Sequence, residues 1–245
     1  MKLLGIFCIA GILTVSANAT TIFFDNISQA VTGQDGIAPN NGNCVAPAAG
    51  NPGPPCDGNG NPNIGNLYDS FSTGVSANTT GFTLKDLKVN LIAFNKADGA
   101  SVNVGLYSNN TDVPGGLVQN LGTVLDSSLN NCATSAGICQ GIGTVIDLNG
   151  LSANLLDNTR YWIGLSTSGS ALWNYAGDGS GTGTTGEFYY SAGNLQTADA
   201  SGPYLLQVSG VDNAPFSTTP EPTTFILLGS SAIALGLFRR KIRTN

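Results

Sequence analysis

The chain has 245 residues, 41% hydrophobic and only 10% charged, with 33 Gly, 11 Pro and no His. That length fits one domain with short appendages, and so low a charge argues against intrinsic disorder, which goes with high charge and low hydrophobicity. Between residues 20 and 219, four basic residues (Lys85, Lys88, Lys96 and Arg160) stand against fourteen Asp and Glu, a net charge of −10; this argues against nucleic acid as a partner, because phosphate attraction needs a basic patch.

The first residues, MKLLGIFCIAGILTVSANAT, place a basic Lys2 before an apolar run from Leu3 to Val15 and a small-x-small site at Ala17-Asn18-Ala19. This is the pattern of a secretory signal peptide, so residues 1–19 are expected to be removed and the remainder exported. The apolar run is short against the ~17 residues a spanning helix needs. Cys8 should leave with the signal, and the four that stay, Cys44, Cys56, Cys132 and Cys139, form an even set in an exported chain, which predicts disulfides. Of the three connectivities, Cys44 with Cys56 and Cys132 with Cys139 is the simplest, and loops of that length stabilise by about 2.5–3 kcal/mol each. A metal site is disfavoured, since neither spacing is CxxC and no His is present.

Residues 36–66, GIAPNNGNCVAPAAGNPGPPCDGNGNPNIGN, are rich enough in Gly, Pro and Asn to predict a long surface loop. Within it Asp57, Asn59, Asn61 and Asn63 alternate as in the oxygen-ligand half of an EF-hand loop. The pattern then fails, with Pro62 where Gly is wanted and Tyr68 where the bidentate Glu belongs, so the set is a weak calcium candidate. No cofactor is expected apart from such a structural calcium ion.

Period-two alternation follows. TLKDLKVNLIAF puts Leu87, Val89 and Leu91 on one face with Lys88 and Asn90 opposite; SVNVGLYS does the same with Val102, Val104 and Leu106. YWIGLS aligns Tyr161, Ile163 and Leu165, and PYLLQVSG aligns Tyr204, Leu206 and Val208. These are half-buried strands separated by Gly, Asn, Asp and Pro turns, and no long 3.6-residue period competes with them. The predicted fold is an all-β, antiparallel, jelly-roll-like β-sandwich over residues 20–211. AGDGSGTGTTGE is expected to be a flexible loop between the strands of Trp173 and Phe188, and residues 212–219 a tether.

Chemistry is sparse. Without His the usual base for a Ser or Cys nucleophile is missing, and no G-x-S-x-G elbow occurs. Fourteen carboxylates could supply a glycosidase pair, but Asp98, Asp112 and Asp157 sit in turn contexts that favour local backbone bonds. The domain is therefore read as non-enzymatic. Trp162, Trp173 and Tyr175, with Tyr189 and Tyr190, are candidates for a sugar-stacking platform; Trp162 faces away from Tyr161, Ile163 and Leu165. The competing reading packs both Trp residues in the core.

The stretches VGLYSNNTDVPGGLVQNLGTV, LSANLLDNTRYWIGLS and LWNYAG together resemble the choice-of-anchor R domain, over roughly Leu67 to Val211. The resemblance joins a Leu-Tyr-Ser strand, a Pro-Gly turn, a Tyr-Trp strand and a later Trp. It implies a β domain located at the bacterial envelope and assigns no catalytic residues.

At the C-terminal end, Pro220-Glu221-Pro222 precedes an uncharged run at 223–238 and a basic tail at 239–245 containing Arg239, Arg240, Lys241 and Arg243. Sixteen helical residues cover about 24 Å, short of the roughly 30 Å hydrocarbon core, so a single transmembrane helix here needs its flanking Arg and Lys to reach outward. Basic residues beside a span stay cytoplasmic, which leaves the domain outside. This tripartite tail, residues 220–245, resembles the PEP-CTERM sorting signal of exported bacterial proteins. The resemblance implies recognition by an exosortase near the PEP motif and an envelope location, in bacteria that also make exopolysaccharide. Exosortase, the membrane and exopolysaccharide are thus the expected partners, and release to the surface or the extracellular matrix is an expected fate.

Overall fold

The computed structural model describes residues 19–37, 65–77, 80–94, 96–97, 99–132, 143–177, 179–191, 194–197 and 202–213. All of them lie in one compact unit, Asn18–Ala214. Thirteen strands occur among them: β1 (Thr20–Asp25), β2 (Val31–Ile37), β3 (Leu67–Ser72), β4 (Phe82–Ala93), β5 (Ser101–Asn110), β6 (Val113–Leu125), β7 (Thr144–Leu148), β8 (Asn154–Leu155), β9 (Arg160–Thr167), β10 (Ala171–Ala176), β11 (Phe188–Ser191), β12 (Asn194–Thr197) and β13 (Leu206–Asp212). The described residues include a single 3-10 turn, Asp126–Ser128, and no α-helix.

The strands form two antiparallel sheets. The first runs β1-β13-β4-β10-β2, with β7 and β8 also paired to β4; the second runs β12-β11-β3-β9-β5-β6. The alternation read from the sequence gives each sheet one apolar face. Leu87, Val89 and Leu91 of β4, Leu206 and Val208 of β13 and Trp173 of β10 come from the first sheet. From the second come Val102, Val104 and Leu106 of β5, Ile163 and Leu165 of β9, and Leu67 and Phe71 of β3, and all are fully buried in one cluster. The core therefore sits between the sheets, and each such side chain contributes about 1.5–3 kcal/mol on burial. Tyr204 joins this core just ahead of β13, through an isolated bridge to Tyr175.

Local structure departs from the sequence reading in three places. The Pro-Gly turn expected at Pro114-Gly115 lies inside β6, and the reversal is made instead by Thr111 and Asp112, whose φ values of 51° and 63° are those of a two-residue hairpin turn. Proline is tolerated there because β6 is an edge strand, where an N–H is dispensable. The segment after β10 is held rather than loose: Asp25 N–H donates to the Thr182 carbonyl at 2.8 Å and Thr182 N–H returns a bond to Asp25 at 2.9 Å. Gly36 and Ile37 belong to β2, with Ile37 bridged to Gly65, and residues 38–64 of the expected long loop lie outside the described residues.

Candidate binding face

The strand register, rather than any sequence motif, assembles the outer face of the second sheet. Across β3, β9, β5 and β6 one row reads Ser70, Trp162, Tyr107, Leu117 and the next reads Tyr68, Gly164, Gly105, Asn120; a third reads Ser166, Asn103, Thr123. The glycines let the aromatic rings lie down on the sheet. A Cβ on Gly164 would stand 2.5 Å from both Tyr107 Cε2 and Tyr68 Cε1, and one on Gly105 would stand 2.8 Å from Tyr107 Cε2 and Leu117 Cδ1. Tyr68 and Tyr107 meet edge to face, with centroids 5.1 Å apart at 84°, a favoured arrangement for an aromatic pair. Burial pushes the Tyr107 phenol above its ordinary range, and the Tyr68 hydroxyl beside it adds to the shift.

Beside this pair lies a groove of about 250 Å³ lined by Asn103, Gly105, Tyr107, Leu117, Asn120 and Ser166, with Val104 at its floor. No lining side chain is charged. Both asparagines have their carbonyl oxygens engaged from within the fold: Asn103 Oδ1 accepts from Thr123 Oγ1 at 2.9 Å, and Asn120 Oδ1 accepts the Gly122 N–H at 3.0 Å. Their Nδ2 groups are thereby set as donors, on side chains that are exposed.

The same face ends in charge. Arg160 at the start of β9 donates from Nε to Glu187 Oε2 at 3.0 Å, from Nη1 to Asp112 Oδ1, and from Nη2 to the Gly186 carbonyl at 3.0 Å. Its guanidinium also lies 4.6 Å from the Phe188 ring centroid, a cation–π contact. Glu187 accepts further bonds from Ser70 Oγ at 2.7 Å and Ser72 Oγ at 2.5 Å. The cluster is closed on itself: a nearly buried carboxylate has its lone pairs filled by one guanidinium and two hydroxyls.

Beneath the face, on the core side of β3, Asp69 is fully buried between Leu67 and Phe71. Neither carboxylate oxygen has a hydrogen-bond partner; the Ser70 and Tyr204 amides face it outside bonding geometry. Desolvation first, and the charge of Glu187 second, push its acid well above the usual carboxylate range.

The aromatics singled out in the sequence behave otherwise. Trp173 is fully buried, stacked on Tyr204 at 4.5 Å and 12°, with its indole N–H on the Leu205 carbonyl at 3.2 Å. Trp162 does face away from the core cluster, but it also has no exposed surface, and its indole N–H is held by Asn109 Oδ1 at 2.9 Å. Neither is a stacking platform, because burial of so large a ring outweighs display of it. Tyr175 is half-buried over Gly33, and Tyr189 is buried against Tyr204. Tyr68 and Tyr107 instead keep part of their rings accessible on this face, and only the cross-strand register brings them together; the side chain of Tyr190 is not among those described. The signal of Tyr68 and Tyr107 in the sequence is weak: each is a tyrosine on the polar phase of a strand.

The weak calcium set Asp57, Asn59, Asn61 and Asn63, together with Cys44, Cys56 and Cys139, lies outside the described residues. Cys132 is disulfide-bonded and packs beside Ile92 and Leu172. Among the described residues no group of three or more His, Cys, Asp or Glu is placed to hold a metal ion, and no helix is long and apolar enough to cross a membrane. The tail, with Pro220, Glu221 and Pro222 and the expected helix at 223–238, is not among them.

Comparison with known families decides one point. Residues 218–241 match the PEP-CTERM protein-sorting motif. The match takes in Pro220, Glu221, Pro222, Arg239, Arg240 and Lys241 and stops before Arg243. It marks an exported protein targeted to an exosortase, associated with a membrane or surface. No curated protein matches the chain at a significant level.

Proposed function

We propose that the chain is a non-enzymatic component of the cell envelope or extracellular matrix, exported through residues 1–19 and presented outside the cytoplasm until an exosortase cuts near Pro220-Glu221-Pro222. The observation that carries it is the sorting motif at 218–241. An apolar helix at 223–238 with Arg239, Arg240, Lys241 and Arg243 behind it supplies a temporary anchor. Disulfides from Cys44 to Cys56 and from Cys132 to Cys139 suit the compartment, as does the resemblance of the sequence over roughly Leu67 to Val211 to the choice-of-anchor R domain. The absence of His from the sequence, which removes the usual general base, supports the non-enzymatic reading.

A second reading adds a task to this one: the domain holds exopolysaccharide. The observation favouring it is the Tyr68–Tyr107 pair beside an uncharged groove. Deleting residues 218–245 and fractionating the cells tests the primary reading. Loss of processing and a changed distribution between membrane and medium is expected; an unchanged distribution with unchanged processing would remove it.

A further inference from the structure

We infer that the groove on β5, β6 and β9 is a subsite for a neutral glycan chain, with Tyr107 as the stacking surface and Asn103, Asn120 and Ser166 as its hydrogen-bonding rim; this rests on the second reading above and names its site and ligand class. Three observations converge on that chemistry. The groove holds a flat, half-exposed ring bordered by Leu117, which offers an apolar surface to the C–H face of a sugar. Two amide donors are aimed by their own committed oxygens, Asn103 through Thr123 and Asn120 through Gly122. Pre-set donors of this kind suit a ligand dense in hydroxyl and ring oxygens and lose little freedom on binding it.

Charge selects among glycans. No charged side chain lines the groove, while the domain around it carries a net charge of −10. An acidic polysaccharide would meet long-range repulsion with no local cation to offset it. Arg160, on the same face, is already bonded to Glu187, Asp112 and Gly186 and is not available to a uronate. The groove also lies on the edge pair β5–β6, where a long chain can pass over the rim of the sheet.

The native protein, purified from its own cells, is probed with an array holding neutral hexose oligomers and uronic acid oligomers, and the dissociation constant of the best binder is then followed in variants. Neutral oligomers are expected to bind, Tyr107→Ala to weaken them about 10-fold, and Tyr107→Phe to leave them within about twofold, since stacking needs the ring and not the hydroxyl. Asn103→Ala combined with Asn120→Ala is expected to weaken binding about 10-fold without moving the unfolding midpoint by more than a few degrees. Neutral binding indifferent to all these changes would overturn the site while leaving a glycan-binding domain standing. Binding confined to uronic acid oligomers would overturn the ligand class. Binding of no glycan at all would overturn both the site and the reading on which it rests.

Discussion

On the outer face of the first sheet, Lys88 stands between Gln207 on one neighbouring strand and Asp147 on the other, Ser209 Oγ reaches Asp86 at 3.4 Å, and Gln207 Nε2 donates to Asp25 at 2.7 Å. On the outer face of the second sheet, the corresponding rows hold Tyr68, Gly164 and Gly105, then Ser70, Trp162 and Tyr107, with charge confined to the end at Arg160. Both faces come from the same two-residue alternation over the same core. Around Lys88 the first mixes opposite charges across its ladders and stays solvated, while farther along β4 the same face carries the buried pair Ile92 and Leu172 beside Cys132. The second gathers its ionic groups into one saturated cluster, and the surface that remains is uncharged, partly aromatic and provided with aimed donors. Two outward faces of one sandwich thus differ in what they can hold.

The contrast can be broken most forcefully at the charged end of the second face. Glu187→Ala removes the acceptor of Arg160, Ser70 and Ser72 and leaves a half-buried guanidinium short of its partner. A loss of about 3 kcal/mol is expected from the midpoint of urea unfolding. A loss below about 1 kcal/mol would mean that the cluster is a solvated decoration like the pairs of the first sheet. Gly164→Ala comes next: the added methyl needs space now filled by Tyr68 and Tyr107, and a cost of about 2 kcal/mol is expected together with a shift in tyrosine fluorescence. Full stability with unchanged fluorescence would show that the rings do not rest on the glycine.

Asp69 gives an effect with a distinctive sign. Its folded-state acid is raised, so the folded protein keeps a proton that the unfolded chain gives up above about pH 4. Stability should therefore fall with rising pH from about 4 upward, by at most about 1.4 kcal/mol per pH unit, until the folded-state acid itself ionises. Asp69→Asn should flatten that slope and raise stability at pH 7; an unchanged pH profile in the variant would contradict the burial argument. At the bottom of the scale, Lys88→Ala on the first sheet is expected to stay within about 0.5 kcal/mol of the parent. A larger loss would erase the distinction between the two faces.

Much of the sandwich was legible because burial follows local alternation. Leu87, Val89, Leu91, Ile163 and Leu165 are core residues, as their phase in the sequence requires. The same rule, applied to LYDSFS, would place Asp69 on the side of Leu67 and Phe71, so the buried acid was readable in principle. The candidate binding face was not. Tyr68, Gly164 and Gly105 are neighbours only through the registers of β3 with β9 and of β9 with β5, and no local pattern encodes those. Trp162 shows the limit from the other side: its outward phase is right, yet the face it occupies buries it completely. The hairpin reversal at Thr111 and Asp112 was hidden because proline and glycine nearby, at Pro114 and Gly115, are stronger turn signals than the residues that turn. The sorting tail was plain in the sequence, since its recognition depends on order along the chain and not on packing.

The measurement that tests the account most directly is the intact mass of the native protein from its own cells, in membrane and extracellular fractions, before and after reduction. The account predicts a species lacking residues 1–19 and everything beyond the Pro220-Glu221-Pro222 region, heavier by about 4 Da on reduction as two disulfides open. A species that retains residues 225–245 in every fraction would contradict it, and the sorting motif would then mark a permanent anchor.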